Sequence, residues 1–242
     1  MALARIPTAT GAILYDPSRI DHPVTADFEP DELGRAGRIH GTAAGRGSAW
    51  FVATRGDSGS WVLRHYRRGG LAARVIADRY AWRGEDATRA FRELRLLAEL
   101  EQRQLPAARP VAARYVRTAC SYRADLLTVA IAGARSLASL LSAELGLGVW
   151  RAVGTTIGVF HAAGVCHADL NAHNVLIDGA GLVQLVDFDR GSLRAPGAWQ
   201  ARNLARLRRS LAKLTAADPR RFTAAQSAAL LEAYEAARSA PL

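Results

Sequence analysis

The pattern of apolar and polar positions changes its period along the chain, and each period predicts a different kind of element. Runs rich in aromatic and β-branched residues have the composition of β-strands. They cover residues 49–55, 61–66, 111–115 and 126–131. Residues 88–100 instead carry apolar side chains at every third position, which predicts a helix with one buried face. The first half of the chain is therefore expected to form antiparallel sheet with one long helix.

The second half of the chain is predicted to be mainly helical. Helices are expected over residues 137–145 and 150–163, along the leucine-rich stretch 204–214, and after Thr223 as an N-cap. Two short apolar runs at residues 175–177 and 182–186 flank a turn-forming sequence and predict a hairpin.

These elements predict an α+β fold with two lobes. Residues 1–35 contain four prolines and are expected to be irregular. Residues 36–131 are predicted to form an antiparallel-sheet N-lobe, and residues 132–242 a mainly helical C-lobe. A chain of 242 residues has the right length for one large domain or two small lobes.

The candidate chemistry lies around the predicted hairpin. Asp169 and Asn174 are five residues apart, and Asp187 follows thirteen residues later. This is the spacing of the catalytic loop and the metal-binding loop of kinases, in which one carboxylate orients the attacking hydroxyl. Asn174 and Asp187 would then hold Mg²⁺ on the phosphates of ATP. The alternative is a turn-rich hairpin with scattered polar residues and a loop-capping Asp169.

Two further residues of the same loop are candidates for the active site. His167 would either brace the loop by hydrogen bonding, which we favour, or take part in the chemistry. Asn171 stands where kinases that phosphorylate proteins usually carry a lysine. Its presence suits a small-molecule or glycan acceptor.

The N-lobe is expected to bind the nucleotide without the usual lysine, because Lys213 is the only lysine and lies near the end of the chain. Arg64, on a predicted strand, would take its place, since a guanidinium can bridge phosphate oxygens. Glu93 on the following helix would pair with Arg64, or would be an ordinary exposed helix charge. Gly45 and Gly47 lie in a glycine-rich bend whose backbone N–H groups could approach phosphates closely.

The overall charge predicts an anionic partner. The chain has 32 basic and 22 acidic residues, a net charge of +10, which suits nucleic acid, phospholipid or a phosphorylated glycan, or else a solvated arginine-rich surface. The segment from Arg67 to Arg79 combines arginines with apolar residues, and either lies on a membrane or packs as a surface helix. Nucleic acid is disfavoured because the chain lacks a zinc finger, an RRM-like motif or a basic zipper. No apolar run reaches the length of a membrane span.

Several segments resemble the 3-deoxy-D-manno-octulosonic acid (Kdo) kinase family, and the order of elements resembles the protein-kinase-like fold. The matching segments are GRGSAWF at 45–51, LRHYRRGGL at 63–71, TRAFRE at 88–93, YRADL at 122–126, HADLNAHN at 167–174 and DFDRG at 187–191. The arginine-rich run within residues 63–71 is the specific part, since the catalytic loop alone indicates only a kinase.

The resemblance implies a function, a place and a set of partners. The family phosphorylates a Kdo sugar, with the 4-OH expected here, on a lipid A precursor during lipopolysaccharide core assembly, using ATP. Its catalytic aspartate falls on Asp169. The protein would work as a peripheral enzyme at the cytoplasmic face of the inner membrane, on an anionic surface, with no obligate protein partner evident. The alternatives are another small-molecule or protein kinase, and a nucleic-acid-binding module without enzyme activity.

Overall fold

The structure, a computed structural model, describes residues 2–43, 49–55, 59–67 and 78–240. The chain divides into two compact units. The N-lobe comprises Met1–Gln102 and Ala108–Ala130, and the C-lobe comprises Arg103–Ala107 and Ile131–Leu242. The predicted α+β class is confirmed, since the N-lobe is built on an antiparallel sheet and the C-lobe is mainly helical.

The N-lobe sheet is antiparallel throughout its described strands. The elements are β1 Ala4–Thr8, β2 Gly11–Tyr15, α1 Pro30–Arg35, β3 Ile39–Ala43, β4 Ala49–Ala53, β5 Ser60–His65, β6 Tyr80–Ala81, α2 Arg89–Gln102, β7 Pro110–Thr118 and β8 Ser121–Val129. The strand order is β1-β2-β7-β8-β5-β4-β3, and β6 pairs with β8. The long central strands β7 and β8 therefore carry both the N-terminal hairpin and the β3–β5 hairpins.

The prediction of an irregular segment over residues 1–35 is wrong. This segment contains β1, β2 and α1, and β2 pairs with β7. Pro7 is tolerated because β1 is an edge strand, where a missing backbone N–H costs no ladder hydrogen bond. Pro30 begins α1, where its N–H would have no helical partner in any case. Ile13 of β2 belongs to the hydrophobic core of the N-lobe, so the segment is an integral part of the sheet.

The alternation of side chains along β5 determines where Arg64 lies. Trp61 and Leu63 are buried in the N-lobe core. Because successive strand residues point to opposite faces, Arg64 lies on the other face. The helix α2 provides its partner there, since its buried stripe includes Glu93 beside Leu94 and Leu97.

The C-lobe combines three larger helices with short strands. Its elements are β9 Arg135–Ser136, α3 Leu137–Leu140, α4 Leu147–Ala162, β10 Val165–Cys166, β11 Val175–Ile177, β12 Val183–Leu185, β13 Ser192–Leu193, α5 Ala198–Leu214 and α6 Ala224–Ser239. The predicted hairpin is β11–β12, and Thr223 caps α6 by accepting a hydrogen bond from the N–H of Gln226. The helix expected over 137–145 ends at Leu140, where the hydroxyls of Ser139 and Ser142 bond backbone carbonyls three residues earlier and compete with helix continuation.

Two glycines allow α4 and α6 to pack with their backbones close together. A Cβ at Gly154 would lie 2.1 Å from the carbonyl oxygen of Leu230, and one at Gly158 would lie 2.6 Å from that of Tyr234. Real Cβ atoms do not approach backbone atoms so closely, so any side chain here must push the two helices apart. The helix α4 leads directly into β10 and the catalytic loop, so its position matters for the site.

We expect Gly154→Ala to lower the free energy of unfolding by about 1–3 kcal/mol, the usual cost of overpacking a close contact. Gly148→Ala is the matched control, because it lies on the same helix and its Cβ would meet no atom within 4 Å. The control should be neutral or slightly stabilising, since alanine restricts the unfolded chain. Urea denaturation of the two variants measures the difference, and equal stabilities would contradict the close packing of α4 on α6.

Candidate active site

Two pairs of strands bring the predicted catalytic and metal loops together. The catalytic loop, residues 167–174, begins after β10 and ends at β11, while the metal loop, residues 186–191, runs from β12 to β13. Val175 of β11 pairs with Leu185 of β12, and Cys166 of β10 pairs with Ser192 of β13. Because both pairs are antiparallel, the start of the catalytic loop lies beside the end of the metal loop, and the end of the catalytic loop lies beside the start of the metal loop. The separation of the motifs in the sequence is thus converted into a single site.

His167 links the two loops. Its ring is buried, with Nε2 2.9 Å from the carbonyl oxygen of Val186 and Nδ1 accepting the N–H of Asp169 at 3.2 Å. An Nδ1 that accepts places the ring proton on Nε2, which donates to the carbonyl. Both ring nitrogens are therefore used in holding the loops, which is the bracing arrangement that the sequence favours for this residue.

Asp169 presents its carboxylate toward solvent. Its side chain is 56% exposed, and Oδ1 accepts a hydrogen bond from Nη1 of Arg206 on α5 at 2.7 Å. Its backbone carbonyl accepts hydrogen bonds from the amides of Asn171 and Asn174, both at 2.9 Å. The loop around Asp169 is thereby fixed while the carboxylate stays reachable for a substrate hydroxyl.

Asn171 shapes the turn of the loop. Its Nδ2 donates to the carbonyl of Asp169, and its Oδ1 accepts the N–H of His173 at 2.9 Å. Both ends of the amide are engaged within the loop. A role of Asn171 at the acceptor stays a prediction, and the contacts described here are structural.

The β11–β12 hairpin brings Asn174 and Asp187 close together in the structure. The carbonyl of Asn174 accepts the N–H of Val186 at 3.0 Å, so Asp187 follows directly after the residue paired with Asn174. The Nδ2 of Asn174 is taken by Asp169, which leaves its Oδ1 for a cation. Phe188 is fully buried and stacks on Phe160 with ring centroids 5.6 Å apart, which anchors the loop behind Asp187.

Asp187 adopts a left-handed backbone conformation, with φ of 64°. Aspartate tolerates this region better than most residues, and such strain at a functional loop is held by its surroundings. In the usual kinase motif the residue two positions later is glycine, but here it is Asp189. That replacement removes the freedom that glycine would give to a flipped loop.

The residues of this pair fit Mg²⁺. Within the described ranges, no group of three or more His, Cys, Asp or Glu side chains is placed to hold a metal ion. Mg²⁺ does not need one, because it usually takes one or two protein oxygens and completes its shell with phosphates and water. An amide oxygen and a carboxylate are both hard donors of the kind that it prefers.

The predicted ion pair of the N-lobe is present. The guanidinium of Arg64 contacts the carboxylate of Glu93, and the hydroxyl of Tyr66 donates to the same carboxylate. Glu93 is 3% exposed, so it is not an ordinary surface charge. The guanidinium also lies over the ring of Tyr66, 4.7 Å from its centroid. The other two nucleotide-site predictions, Gly45 and Gly47, lie outside the described residues.

The comparison with known proteins decides the family. The profile of the lipopolysaccharide kinase (Kdo/WaaP) family matches residues 33–234. The chain belongs to this family. It is 49% identical over 205 residues to a 3-deoxy-D-manno-octulosonic acid kinase of Stenotrophomonas maltophilia (strain K279a), covering 84% of this chain and 81% of the relative. It is 47% identical over 228 residues to a protein of the same name from Xanthomonas euvesicatoria pv. vesicatoria (strain 85-10), covering 94% and 90%.

Membership of the Kdo/WaaP family makes this protein a kinase, a phosphotransferase that uses ATP. The resemblance stated from the sequence segments is confirmed, and so is the two-lobed kinase-like fold. The alternative of a nucleic-acid-binding module without enzyme activity is thereby excluded as the main function.

For this Kdo/WaaP family kinase we expect Arg64→Ala to raise the KM for ATP at least about tenfold, because a charge-assisted hydrogen bond contributes roughly 1.5–3 kcal/mol. Arg64→Lys should retain part of the activity, since the charge survives while the planar fork is lost. Steady-state kinetics with varied ATP measures both. A parent-like KM in Arg64→Ala would mean that another arginine binds the phosphates.

Sequence reasoning missed the part that α5 plays in this kinase. Arg206 contacts Asp169, Asn203 Oδ1 accepts the backbone N–H of His167 at 3.2 Å, and Ser210 Oγ accepts that of Ala172 at 3.2 Å. The available signal was the spacing of arginines on α5, which the leucine periodicity places away from the core without indicating what they face. Behind this helix, burial lowers the pKa of His161 to about 4, so the imidazole there is uncharged at neutral pH.

Proposed function

We propose that this kinase transfers the γ-phosphoryl group of ATP to the 4-hydroxyl of a Kdo sugar linked to a lipid A precursor, in lipopolysaccharide core biosynthesis. The observation that carries the proposal is the pairing of the two loops, which places the loop that bears the exposed Asp169 carboxylate and Asn174 alongside the loop that bears Asp187. The names of the relatives supply the sugar.

In the proposed reaction the acceptor hydroxyl donates a hydrogen bond to Asp169, which orients it and takes its proton as the oxygen attacks the γ-phosphorus. The bond from the γ-phosphorus to the bridging oxygen breaks, and ADP leaves. Asn174 and Asp187 would hold Mg²⁺, which neutralises the charge of the phosphates. His167 keeps both loops in register, and Arg64, held by its ion pair with Glu93, binds phosphate oxygens of ATP.

The test is direct. The purified protein is incubated with ATP, Mg²⁺ and Kdo-bearing lipid A precursor, and the product is examined by mass spectrometry and phosphorus-coupled NMR. Addition of one phosphate group at O4 of the sugar is the expected result. Asp169→Asn is the control for contaminating kinases. Phosphate at another hydroxyl of the sugar would contradict the proposed 4-hydroxyl. Transfer only to peptides or to free sugars would contradict the proposed lipid-linked acceptor.

We also propose that the enzyme works as a peripheral protein on an anionic membrane surface, at the cytoplasmic face of the inner membrane. The support is the net charge of +10 and the exposed Arg67 and Arg79, which bracket an arginine-bearing stretch. Residues 68–77 between them lie outside the described residues. Among the helices of the described residues, none has the length and the apolar composition of a membrane-spanning segment.

Trp82 follows the arginine-bearing stretch in the sequence, but its ring packs within the N-lobe and not at a membrane surface. Its ring is half-buried and packs on Tyr115 at 5.1 Å between centroids, with Arg117 over it at 4.8 Å. This packing belongs to the N-lobe sheet. The membrane proposal therefore depends on the arginines and not on Trp82.

We expect Arg67→Ser/Arg79→Ser to weaken binding to vesicles containing anionic lipid and to raise the apparent KM for the lipid acceptor several-fold, with less change in the KM for ATP. Surface arginines contribute about 1 kcal/mol each near such a membrane. Arg92→Ser/Arg208→Ser, which removes two exposed arginines elsewhere, is the matched control. The effect should shrink as salt rises, because charges are screened over about 8 Å at physiological ionic strength. Vesicle binding indifferent to both salt and substitution would refute the surface role.

A further inference from the structure

One side of α5 borders a cavity of about 450 Å³ within the C-lobe. The lining includes Arg194, Trp199, Arg202, Asn203, Arg206 and Arg209. None of the lining residues is acidic. A cavity of this size lies in the range of sites that bind small molecules, here a sugar ring or two. We refer to it as the α5 arginine pocket.

The pocket is fixed beside the proposed catalytic carboxylate. The hydrogen bonds from the backbone of His167 to Asn203 and of Ala172 to Ser210, both of 3.2 Å, dock α5 along the catalytic loop. Arg206 lies in the wall of the pocket and reaches Asp169 Oδ1 at 2.7 Å. A ligand in the pocket would therefore lie next to the group that orients the acceptor hydroxyl.

The positive charge of the pocket is poorly neutralised. Arg202, Arg206 and Arg209 follow the spacing i, i+4, i+7 and share one face of α5, an arrangement in which like charges repel. The helix carries no acidic residue at all. In the described ranges, no carboxylate comes within 4.0 Å of Arg202 or Arg209, and Arg206 forms its ion pair with Asp169. Guanidinium groups converging on one cavity are well suited to binding an oxyanion in a bidentate manner.

We infer that the α5 arginine pocket binds the carboxylate of the sugar acid in the acceptor, an inference that rests on the proposed function. The acid group and the 4-hydroxyl belong to the same sugar, so one ring can place the first on the arginines and the second at Asp169. A phosphate of the lipid part has the same oxyanion chemistry but lies on a different sugar. The carboxylate is for that reason the occupant we assign.

Arg206 has a positioning role in this arrangement. It touches both the pocket and Asp169, so a bound carboxylate would share its guanidinium with the carboxylate of the loop. Loss of Arg202 or Arg209 should then weaken acceptor binding alone. Loss of Arg206 should also lower kcat, because the orientation of Asp169 relative to the acceptor changes.

The test uses Arg202→Ser and Arg209→Ser, made separately, with Arg208→Ser as the matched control. Arg208 is exposed on the same helix but does not line the pocket, so the control removes the same charge. At saturating ATP we expect each pocket variant to raise the KM for the acceptor roughly 10-fold to 100-fold, as for loss of a charge-assisted hydrogen bond. The KM for ATP and the behaviour of Arg208→Ser should stay within about twofold of the parent, as for surface substitutions.

Two altered acceptors separate the possible oxyanions. An acceptor whose sugar carboxylate is converted to the carboxamide should bind the parent weakly, and the pocket variants should not weaken it further. An acceptor lacking the lipid phosphates should still respond to the pocket variants as the unaltered one does. If the pocket variants instead weaken binding of the carboxamide acceptor but not of the acceptor without phosphates, the pocket binds a phosphate, and the assignment to the carboxylate is refuted.

A binding measurement without ATP separates this inference from the proposed function. Calorimetry with a soluble Kdo glycoside should show binding to the parent and to Arg208→Ser, and loss of binding in Arg202→Ser and Arg209→Ser. Unchanged binding and KM in the pocket variants, with transfer intact, would refute the pocket while the proposed function stands. Absence of transfer by the parent would refute the proposed function, and the glycoside binding would still decide the pocket.

Discussion

Replacing Asp187 is expected to lower the rate of phosphoryl transfer by at least about 10³-fold, the scale seen when a group stabilising transition-state charge is lost. The carboxylate would be one of two protein ligands of Mg²⁺, and Asn174 supplies only a neutral oxygen. Without Asp187 the ion would be held less firmly, and less of the phosphate charge would be neutralised. Single-turnover measurements at saturating ATP and acceptor report the loss in the chemical step.

The choice of substitution at Asp187 matters because its φ is 64°. Alanine removes the ligand but also strains the backbone, whereas asparagine tolerates the left-handed region. Asp187→Asn should therefore lose nearly as much activity as Asp187→Ala while keeping the melting temperature of the parent. Asp178→Asn is the control: it removes a carboxylate from the hairpin turn, where Oδ1 only accepts backbone hydrogen bonds that asparagine can replace. Near-normal turnover of Asp187→Asn with Mg²⁺ would remove Asp187 from the metal site.

Asp169→Asn is expected to reduce kcat by about 10²–10⁴-fold, the range for loss of a general base. The asparagine cannot accept the proton of the acceptor hydroxyl. The fold of the loop should be kept, because the backbone of residue 169 still forms its hydrogen bonds with His167, Asn171 and Asn174. The KM for ATP should change little. Steady-state kinetics with the lipid acceptor and thermal melting of the same preparation measure these quantities.

A second variant shows whether the loss comes from the base or from its ion pair. Arg206→Ser breaks the same contact with Asp169 but leaves the carboxylate in place. Its kcat should fall less than that of Asp169→Asn. Equal losses in the two variants would mean that the contact with Arg206, and not proton transfer to Asp169, is what matters.

The local elements were largely predictable from the sequence because they depend on neighbours in the chain. The stripe at residues 88–100 gave α2, the apolar runs around the turn gave β11 and β12, and Thr223 caps α6 as expected. The β1–β2 hairpin is not predicted from the sequence, because the prolines of residues 1–35 argue against strands. Pro7 escapes that rule because it lies on an edge strand, and edge position is decided only when the sheet is assembled.

The sequence by itself determined which chemical groups this kinase possesses. The spacing of Asp169, Asn174 and Asp187 predicts phosphoryl transfer, and the position of the single lysine predicts that Arg64 takes its place. The contact of Arg64 with Glu93, expected from the position of Arg64 on its strand and of Glu93 on the helix that follows, is present. Such information is local, because it depends on residue type, on spacing and on which face of an element a residue occupies.

Only the tertiary structure decided what surrounds those groups. The sequence placed the arginines of α5 away from the core, but the docking of that helix on the catalytic loop is what sets Arg206 against Asp169 and forms one wall of the α5 arginine pocket. This docking depends on hydrogen bonds between residues more than thirty positions apart, such as those from His167 to Asn203 and from Ala172 to Ser210. No periodicity records contacts between distant parts of a chain, so the environment of the catalytic loop becomes visible only in the folded protein.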